Sequence, residues 1–362
     1  MYATYHKHTL QFKFLAGTSR GVLRNKDSYF IRVSHKKGDS QYGLGECAPL
    51  QGLSIDDVPD YEQRVADLCQ QLSSQEIMLK DESGVFTWLD THVNKEFPSL
   101  RFGAETALLD LINGGKKLIL DNNWSQSPHQ PIPINGLIWM NDQQHMLNQL
   151  KEKLNQGFDC IKIKIGAIDF DQEMALLEFI RKQHGPDEVT IRVDANGAFS
   201  SHDVFEKLER LSAFSVHSIE QPIQPGQYPL MRKLCAQSPL PIALDEELIG
   251  VHESGEKAEL LDQILPQYII LKPSLIGGIQ ASREWIHLAE ERNIGWWITS
   301  ALESNIGLNA IAQLTATYVV QLPQGLGTGQ LYENNIPSPL QIGDGKLFYA
   351  AEDVWQDQIC YA

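Results

Sequence analysis

The stretch CIKIKIG at residues 160–166 alternates lysines with isoleucines where the sequence otherwise reads as a buried β-strand. Side chains two residues apart project from the same side of a strand, so Lys162 and Lys164 share one face and the isoleucines share the other. If the isoleucines pack against a helical layer, the two ammonium groups point into whatever the opposite face of the sheet encloses. We therefore expect the isoleucine face of this strand to pack in the core and the lysine face to line a functional site.

The same kind of strand recurs along the chain. From about residue 131, short apolar β-type runs alternate with helical sequence at intervals of about 25 to 30 residues, which indicates a parallel sheet. The eight runs are IPINGLIWM (132–140), CIKIKIG (160–166), TIRVDANG (190–197), HSIEQPI (217–223), PIALDEEL (241–248), YIILKPSLIGG (268–278), GWWITSALES (295–304) and GLGTGQL (325–331). Eight runs without a Gly-x-Gly-x-x-Gly fingerprint favour a closed α/β barrel over an open, doubly wound sheet.

The first hundred residues follow a different pattern. TYHKHTLQFKF (4–14) and DSYFIRVSHKKGDSQYGLGECAP (27–49) are typical of antiparallel strands punctuated by Gly and Asp. SIDDVPDYEQRVADLCQQLSS (54–74) predicts a helix, and LRFGAETALLDLINGG (100–115) predicts an amphipathic helix that glycines end. The chain thus combines an N-terminal α+β segment with the barrel, and the tail after the barrel carries further strand signals.

Composition excludes several classes of partner. The chain has 362 residues and a net charge of -16, which argues against nucleic acid or an anionic membrane surface as the main partner. No run reaches the roughly 18 apolar residues of a membrane span, and the first residues lack a signal-peptide core. The five cysteines are scattered without metal-site spacing, so we expect a cytoplasmic protein with reduced thiols.

Charged residues stand at corresponding places on five consecutive strands. They are Lys162 and Lys164 on the second run, Asp194 on the third, Glu220 on the fourth, Asp245 on the fifth and Lys272 on the sixth. Function gathers at the C-terminal ends of the strands in a parallel barrel. A single residue of this kind is usually a solvated rim residue or half of a surface ion pair. Five matching positions, with the acids contiguous and lysines on either side, instead indicate a functional site.

Barrel geometry suggests how these residues meet. Strands two and six lie on opposite sides of an eight-stranded barrel, so Lys164 and Lys272 are expected to face each other across its mouth. Three carboxylates converge between them, and buried negative charges need a counter-charge. Oxygen ligands favour Mg²⁺ with open positions for water and substrate oxygens. A metal beside two lysines predicts a site for an anion whose charge grows during a reaction.

The motifs KIK (162–164), DANG (194–197), EQP (220–222), ALDE (243–246) and LKPSLIGG (271–278) resemble the enolase superfamily, specifically its muconate-lactonizing-enzyme subgroup. The resemblance implies an α+β capping domain over residues 1–125, joined by the tail at 332–362, and a modified (β/α)7β TIM-type barrel over 126–331. It further implies one Mg²⁺, with Mn²⁺ as a substitute, and abstraction of the proton α to a carboxylate of a small-molecule substrate. It leaves the oligomeric state open, a homo-oligomer included.

The resemblance also assigns roles to single residues. It implies Asp194, Glu220 and Asp245 as metal ligands, Lys164 as acid/base catalyst, Lys272 as its opposite number, Lys162 as a neighbour that tunes Lys164, and Asn196 as a support for the surroundings of the metal. Proton abstraction beside a carboxylate makes a dianionic enediolate, which a metal ion and a lysine stabilise where charge develops. A lysine base opposite a metal-stabilised enediolate is the general pattern of this superfamily.

Within the subgroup, the seventh and eighth runs favour an o-succinylbenzoate synthase. Such an enzyme dehydrates 2-succinyl-6-hydroxy-2,4-cyclohexadiene-1-carboxylate in menaquinone biosynthesis. Dipeptide epimerases of the subgroup carry an Asp-x-Asp pair on the eighth strand, whereas this chain has Gly327, Thr328 and Gly329 there. The seventh run resembles that of synthases in which a serine and glycine-region backbone groups hold the succinyl carboxylate, and this resemblance implies Ser300, Gly327 and Thr328 as substrate contacts. The segments at 16–29 and 45–54 resemble loops that close over substrate. A dipeptide epimerase, an N-acylamino acid racemase and a cycloisomerase remain possible within the subgroup.

Two further hypotheses are a non-catalytic binding barrel and a member of the mandelate-racemase branch. Every expected catalytic position is filled, which counts against a barrel that only binds a ligand. The sixth run offers Lys272 and no His–Asp dyad, which disfavours the mandelate-racemase branch. His287 falls in the helix after that run, and we expect it to lie at the surface or in packing.

Overall fold

The structure is a computed structural model, and it describes residues 1–18, 21–75, 79–120, 124, 130–166 and 168–361. Residues 19 and 20 of the predicted loop at 16–29, and residues 125–129 around the predicted domain boundary, lie outside the described part. No helix among the described residues is both long enough and apolar enough to cross a membrane.

The N-terminal part is a three-stranded antiparallel sheet with three helices, which confirms the antiparallel strands and the presence of helices that the sequence predicts here. The strands are β1 (Tyr2–Thr18), β2 (Gly21–Ser34) and β3 (Gly43–Cys47), in the order β1-β2-β3. The helices are α1 (Tyr61–Ser74), α2 (Glu82–His92) and α3 (Pro98–Ile112). Two glycines with positive φ, Gly114 and Gly115, follow α3 and stop it.

Helix α3 is the central contact between this part of the chain and the barrel. An amphipathic helix was predicted here, and that prediction is wrong, because every residue from Pro98 to Leu111 is buried. One side of α3 packs closely on β3: a Cβ added at Gly45 would lie 1.9 Å from the carbonyl oxygen of Gly103. The other side packs on barrel helices. A helix covered on both sides needs no polar face.

The remaining chain alternates strands and helices as predicted. The strands are β4 (Ile132–Pro133), β5 (Gly136–Ile138), β6 (Cys160–Lys164), β7 (Thr190–Asp194), β8 (Ser218–Glu220), β9 (Ile242–Leu244), β10 (Tyr268–Leu271) and β11 (Gly295–Ile298). The helices are α4 (Gln143–Asn155), α5 (Phe170–Gln183), α6 (Val204–Ser212), α7 (Tyr228–Gln237), α8 (Ser254–Ile264), α9 (Pro273–Ile276), α10 (Gly278–Glu290) and α11 (Asn305–Thr315). Strands β5 to β11 form one curled parallel sheet in sequence order.

The predicted eighth strand, GLGTGQL at 325–331, is the part of the barrel that differs from expectation. Two isolated parallel bridges, Ile134 to Gln324 and Thr299 to Gly325, lie where an eighth strand would close the sheet. The chain then turns into a short 3-10 helix at Gly327–Gln330. Glycine weakens strands because it brings conformational entropy and no side chain to pack, and this run has three glycines in seven residues.

The tail after the barrel contacts both parts of the molecule. Strands β12 (Leu340–Gly343) and β13 (Lys346–Tyr349) form an antiparallel sheet with β4, which directly precedes the first strand of the parallel sheet. Farther on, a carboxylate oxygen of Asp357 lies 2.6 Å from Nζ of Lys117 and accepts a hydrogen bond from the Tyr42 hydroxyl. The tail therefore fastens the barrel to residues of the N-terminal region.

Candidate active site

Strand β6 has the two faces that its sequence predicts. Ile161 and Ile163 are fully buried in the main hydrophobic core. Lys162 and Lys164 project from the other face and line a cavity at the C-terminal end of the parallel sheet. The same register places Lys164 beside Asp194 on β7, so the charged ends of neighbouring strands lie level with one another.

The predicted lysines and carboxylates meet in one ion network. Nζ of Lys162 lies 2.9 Å from Oδ2 of Asp194 and also contacts Oε2 of Glu220. Nζ of Lys164 lies 3.0 Å from the same Asp194 oxygen. Nζ of Lys272 contacts Oδ2 of Asp245 on the other side of the network. All six side chains are thus brought together at the end of the sheet, as the sequence predicts.

Two opposing effects determine the pKa values of the carboxyl groups in the network. Burial raises these pKa values, and nearby ammonium groups lower them. Burial alone would raise the pKa of Asp194, but nearby ammonium groups, chiefly that of Lys162, hold it well below its usual range. Burial likewise disfavours the ionised form of Asp245, and the ammonium of Lys272 outweighs it, so that pKa is also lowered. Burial together with the Asp194 charge raises the pKa of Glu220 well above its usual value.

The ammonium groups respond in the opposite sense. Burial lowers the pKa of a lysine, but the carboxylates Asp194 and Glu220 outweigh burial at Lys162 and raise it. Asp245 does the same at Lys272. Lys162 therefore serves as the bridging counter-charge of two carboxylates. This contact is additional to the tuning of Lys164 that the sequence predicts for it.

Three oxygen donors on neighbouring strand ends suit a divalent metal ion. Oε1 of Glu220 is buried and has no hydrogen-bond partner among the described residues, so one acceptor of the set is left for another cation. With the side chains in their present positions, no three His, Cys, Asp or Glu side chains among the described residues are close enough together to hold a metal ion. Lys162 and Lys272 supply the positive charge instead. A bound ion would replace them as counter-charge, and the hard oxygen ligands fit that role.

Asn196 supports a lysine in this structure. Its Oδ1 accepts a hydrogen bond of 2.7 Å from Nζ of Lys164, and its Nδ2 donates to Oε1 of Glu246. The backbone at Asn196 has φ 43°, in the left-handed region that Asn tolerates better than most residues, and its amide donates to Oδ1 of Asp194. The turn after β7 therefore aims the amide oxygen at Lys164.

Two residues that sequence reasoning passed over also shape the site. Gln221 is fully buried, and its Oε1 accepts hydrogen bonds from the backbone amides of Asp245 and Glu247. It thereby fixes the turn that presents the Asp245 carboxylate. Glu246 orients Asn196 by accepting from its side-chain amide. The signal for both was a polar residue directly after a strand-end carboxylate, in EQP and ALDE.

A cavity of about 720 Å³ lies above the network. Ser300, Gly327 and Thr328, the predicted substrate contacts, all line it. The Ser300 hydroxyl oxygen accepts hydrogen bonds from Thr328 Oγ1 at 2.7 Å and from the Leu302 amide at 3.0 Å. Its own hydrogen has no acceptor among the described residues. Ser300 is therefore set to donate to an oxygen of a ligand in the cavity.

The wall beside Ser300 is apolar. Leu50 and Leu53, from the predicted loop at 45–54, line the cavity together with Trp139 and Leu302. Leu302 has φ 67°, which is unusual for a bulky residue, and the Tyr332 hydroxyl holds its carbonyl with a hydrogen bond of 2.6 Å. The cavity thus combines ammonium groups on one side with an apolar wall that suits a hydrocarbon ring.

His287 lies in α10, as expected. Its side chain is exposed and its Nε2 lies 3.3 Å from a carboxylate oxygen of Glu291 one turn later. It is not one of the described residues that line the cavity, and it takes no part in the site.

Comparisons with known proteins agree with this geometry. Residues 145–351 match the family of enolase C-terminal domain-like proteins. The chain is 46% identical to the o-succinylbenzoate synthase of Desulfotalea psychrophila, over 96% of this chain and 98% of that protein.

Two solved structures extend the comparison to the fold. The crystal structure of MenC from Desulfotalea psychrophila has a TM-score of 0.86 and 43% identity, over 96% of this chain and 99% of that one. The muconate lactonizing enzyme of Pseudomonas fluorescens, crystallised with muconolactone, has a TM-score of 0.82 and 22% identity, over 99% of this chain and 96% of that one. The latter likeness concerns the fold alone. With its capping sheet, its curled parallel barrel and its ring of strand-end lysines and carboxylates, the chain belongs to the enolase superfamily.

Proposed function

We propose that this chain is an o-succinylbenzoate synthase. It removes water from 2-succinyl-6-hydroxy-2,4-cyclohexadiene-1-carboxylate, in a syn elimination that belongs to menaquinone biosynthesis. The observation that carries the proposal is the cavity. Lys164 and Lys272 line it, the acid trio lies on the strands between them, and a neutral serine and threonine complete it. Identity of 46% over nearly the whole chain with an enzyme of that name supports the same reaction.

Lys164 is the proposed acid and base. In its neutral form it takes the proton from the ring carbon that bears the carboxylate, and the C–H electron pair passes into an enediolate. The resulting ammonium then gives a proton to the hydroxyl on the neighbouring carbon of the same face. That C–O bond breaks, water leaves, and the ring becomes aromatic. The hydrogen bond to Asn196 Oδ1 holds Nζ of Lys164 in place for both transfers.

Lys272 and the carboxylate trio provide the electrostatic part of the mechanism. Lys272 lies on the far side of the network, where its ammonium stabilises negative charge as it develops on the substrate. Asp194, Glu220 and Asp245 would hold the divalent ion on which this superfamily depends, and we propose Mg²⁺, with Mn²⁺ as a substitute. When bound, that ion supplies positive charge beside the substrate carboxylate.

Ser300 and the short helix at Gly327–Gln330 form the proposed subsite for the succinyl chain. The unused hydroxyl hydrogen of Ser300 would donate to the succinyl carboxylate, while Leu50, Leu53 and Leu302 contact the apolar parts of the substrate. No Asp or Glu occurs between residues 325 and 331. A dipeptide ammonium group would find no counter-charge there, which favours the synthase over a dipeptide epimerase.

The same proposal covers the location of the enzyme. All five cysteines are free thiols in the structure, and four of them are buried. Unpaired cysteines are what a reducing compartment maintains, which supports the cytoplasm as the place where the reaction occurs.

The test is turnover of the cyclohexadiene substrate, followed by its ultraviolet absorbance. We expect rapid turnover with Mg²⁺, loss with a chelator and return when Mg²⁺ is added back. Lys164→Ala should lower kcat by about 10³-fold or more, because a positioned base contributes about 10²- to 10⁴-fold and its absence also removes the acid. The matched control is Lys182→Ala, which removes an exposed lysine of α5 and should leave kcat unchanged.

Absent turnover of this substrate with Mg²⁺ present would refute the synthase assignment. Deuterium exchange at the α-carbon of dipeptides in the same preparation would then identify an epimerase. In that case Lys164 and Lys272 would act as bases on opposite faces of the substrate.

A further inference from the structure

A buried polar cluster joins the N-terminal sheet to the loops that follow β10 and β11. Its members are Lys26 on β2, Glu46 on β3, Ser274 in α9, and Glu303 and Ser304 before α11. None of these five residues is more than 5% exposed. None of them lines the cavity or belongs to the lysine–carboxylate network, so the proposed mechanism does not use them.

Glu303 connects two loops that carry residues of the site. Its Oε1 accepts a hydrogen bond from the Ser274 hydroxyl, and its Oε2 accepts one of 2.8 Å from the Ala301 amide. Ser274 stands two residues after Lys272, and Ala301 directly follows Ser300. The Glu303 carboxylate therefore fixes the distance between the loop that follows Lys272 and the loop that follows Ser300.

The connection from Ser274 to Lys272 is short and rigid. The carbonyl oxygen of Lys272 accepts hydrogen bonds from the amides of Leu275 and Ile276, at 2.8 and 3.2 Å. Pro273 restricts the backbone between them, since its ring fixes φ. The position of Ser274 is therefore tied to the backbone of Lys272, from which the ammonium group extends.

The N-terminal sheet holds Glu303 in turn. Glu46 accepts four hydrogen bonds, from the Ser28 hydroxyl at 2.6 Å, the Ser304 amide at 2.9 Å, the Ser304 hydroxyl at 2.5 Å and the Gly307 amide at 2.9 Å. It therefore clamps the residue after Glu303 at the start of α11. Lys26 is attracted to both Glu46 and Glu303, and its Nζ donates to the carbonyl of Ala48.

We propose that Glu303 is a positioning residue for the reaction. Through Ser274 and Ala301 it sets Lys272 and Ser300 at a fixed separation across the cavity, and Glu46 and Lys26 of the N-terminal sheet hold it there. The N-terminal region thus contributes to the placement of a charged group of the barrel as well as to the cavity wall. The inference rests on the proposed function, because it concerns how the two ends of one substrate are held.

The decisive variant is Ser274→Ala, which deletes the hydrogen bond to Glu303 without changing charge. We expect kcat to fall about tenfold while KM stays within about twofold, because misplacing a charged group affects the transition state more than ground-state binding. Ser282→Ala is the matched control. Ser282 is equally buried, but its hydroxyl donates only to the Gly278 carbonyl of its own helix. That variant should keep both constants.

A second readout needs no substrate. Reductive methylation followed by peptide mass spectrometry gives the labelling rate of each lysine. Ser274→Ala should speed labelling of Lys272 relative to Lys164, and Ser282→Ala should not. Glu303→Gln, which removes the charge and one acceptor, should change the labelling ratio in the same direction as Ser274→Ala.

The outcomes separate this inference from the proposed function. Equal kcat and equal labelling ratios in Ser274→Ala and Ser282→Ala would overturn the positioning role. If the wild-type protein does not convert the cyclohexadiene, the synthase proposal fails. The labelling ratio would still decide whether Ser274 and Glu303 fix Lys272.

Discussion

Two groups of buried carboxylates in this molecule have different partners. The first group, Asp194, Glu220 and Asp245, lies at the ends of neighbouring barrel strands and is surrounded by lysine ammonium groups. The second group, Glu105 and Asp110, lies on α3, between the N-terminal sheet and the barrel. Both groups are almost completely removed from solvent.

In the second group, the hydrogen-bond donors are backbone amides. Glu105 accepts hydrogen bonds from the amides of Ile279 and Gln280, at 2.5 and 3.0 Å, at the start of α10. It thereby satisfies amides that a helix leaves without an internal partner. Asp110 accepts hydrogen bonds from the backbone amides of Leu44 on β3 and of Lys117, which follows α3. These carboxylates connect parts of the fold.

The comparison teaches that burial of a carboxylate does not by itself mark a functional site. Burial raises the pKa of Glu105 and of Asp110 to about 7. Backbone amides oppose this only partly at Glu105, and the charge of Lys117 together with backbone amides opposes it only partly at Asp110. In the first group, lysines hold Asp194 and Asp245 ionised, and an oxygen of Glu220 remains without a partner among the described residues. Direct ion pairs with lysines, and an acceptor without a hydrogen-bond partner among the described residues, distinguish the site from the interface.

The largest effect is expected from Glu220→Gln. The variant loses a carboxylate that metal binding and the enediolate both depend on, so kcat should fall by about 10³-fold or more. Its thermal stability should fall, because Glu220 is a partner of the buried Lys162 ammonium and the substitution leaves that ammonium with one counter-charge fewer. Turnover measurements test the first expectation, and titration calorimetry with Mg²⁺ should show weaker binding.

Glu105→Gln is the control for that experiment and keeps the shape of the side chain. Because Glu105 hydrogen-bonds to the start of helix α10 and is not among the described residues that line the cavity, the variant should keep its kcat. Full activity in Glu220→Gln, or a similar loss in both variants, would remove the distinction between the two groups.

A smaller effect concerns how stability depends on pH. The pKa of Glu105 is about 7 in the folded protein and 4.5 is its ordinary value, so the folded state holds the proton more tightly. The stabilisation is complete below about pH 4.5 and is lost as the pH rises through about 7. Between about pH 5 and pH 7 the wild type should lose about 2 kcal/mol relative to Glu105→Gln.

Urea unfolding of both proteins across this pH range measures the difference. Asp110 is present in both, so its own titration cancels. If the free energies of unfolding of the two proteins change in parallel from pH 5 to pH 7, the raised pKa of Glu105 is contradicted.

Much of the barrel and its site could be predicted from the sequence, because local patterns determine them. Strand periodicity located β6 to β11, and equal spacing placed Lys164, Asp194 and Glu220 at one level. The run at 325–331 was mistaken for a strand because its position in the repeat outweighed its poor strand propensity. Helix α3 was predicted to be amphipathic because its local sequence does not show that other elements of the fold pack against both of its sides.

Contacts between distant parts of the chain could not be predicted. Glu303 and Ser274 each look like an ordinary residue after a strand, and only the folded chain brings them within hydrogen-bond distance. Glu46 stands 258 residues before Ser304, whose amide it accepts. No local propensity connects such positions, so their roles appear only when the two regions are packed together.

The smallest effect is expected from Asp110→Asn, which separates charge from hydrogen bonding within the second group. Oδ2 of Asp110 accepts the amide of Leu44 at 3.0 Å and Oδ1 accepts that of Lys117 at 2.5 Å. An asparagine keeps one acceptor and turns an NH₂ group toward the other amide, leaving that buried donor unsatisfied. Removing a buried charge offsets part of this loss, so the variant should be less stable by about 1 kcal/mol at neutral pH. Unfolding in urea gives this value, and kcat should be unchanged. A loss of activity with no loss of stability would mean that Asp110 belongs with the functional carboxylates.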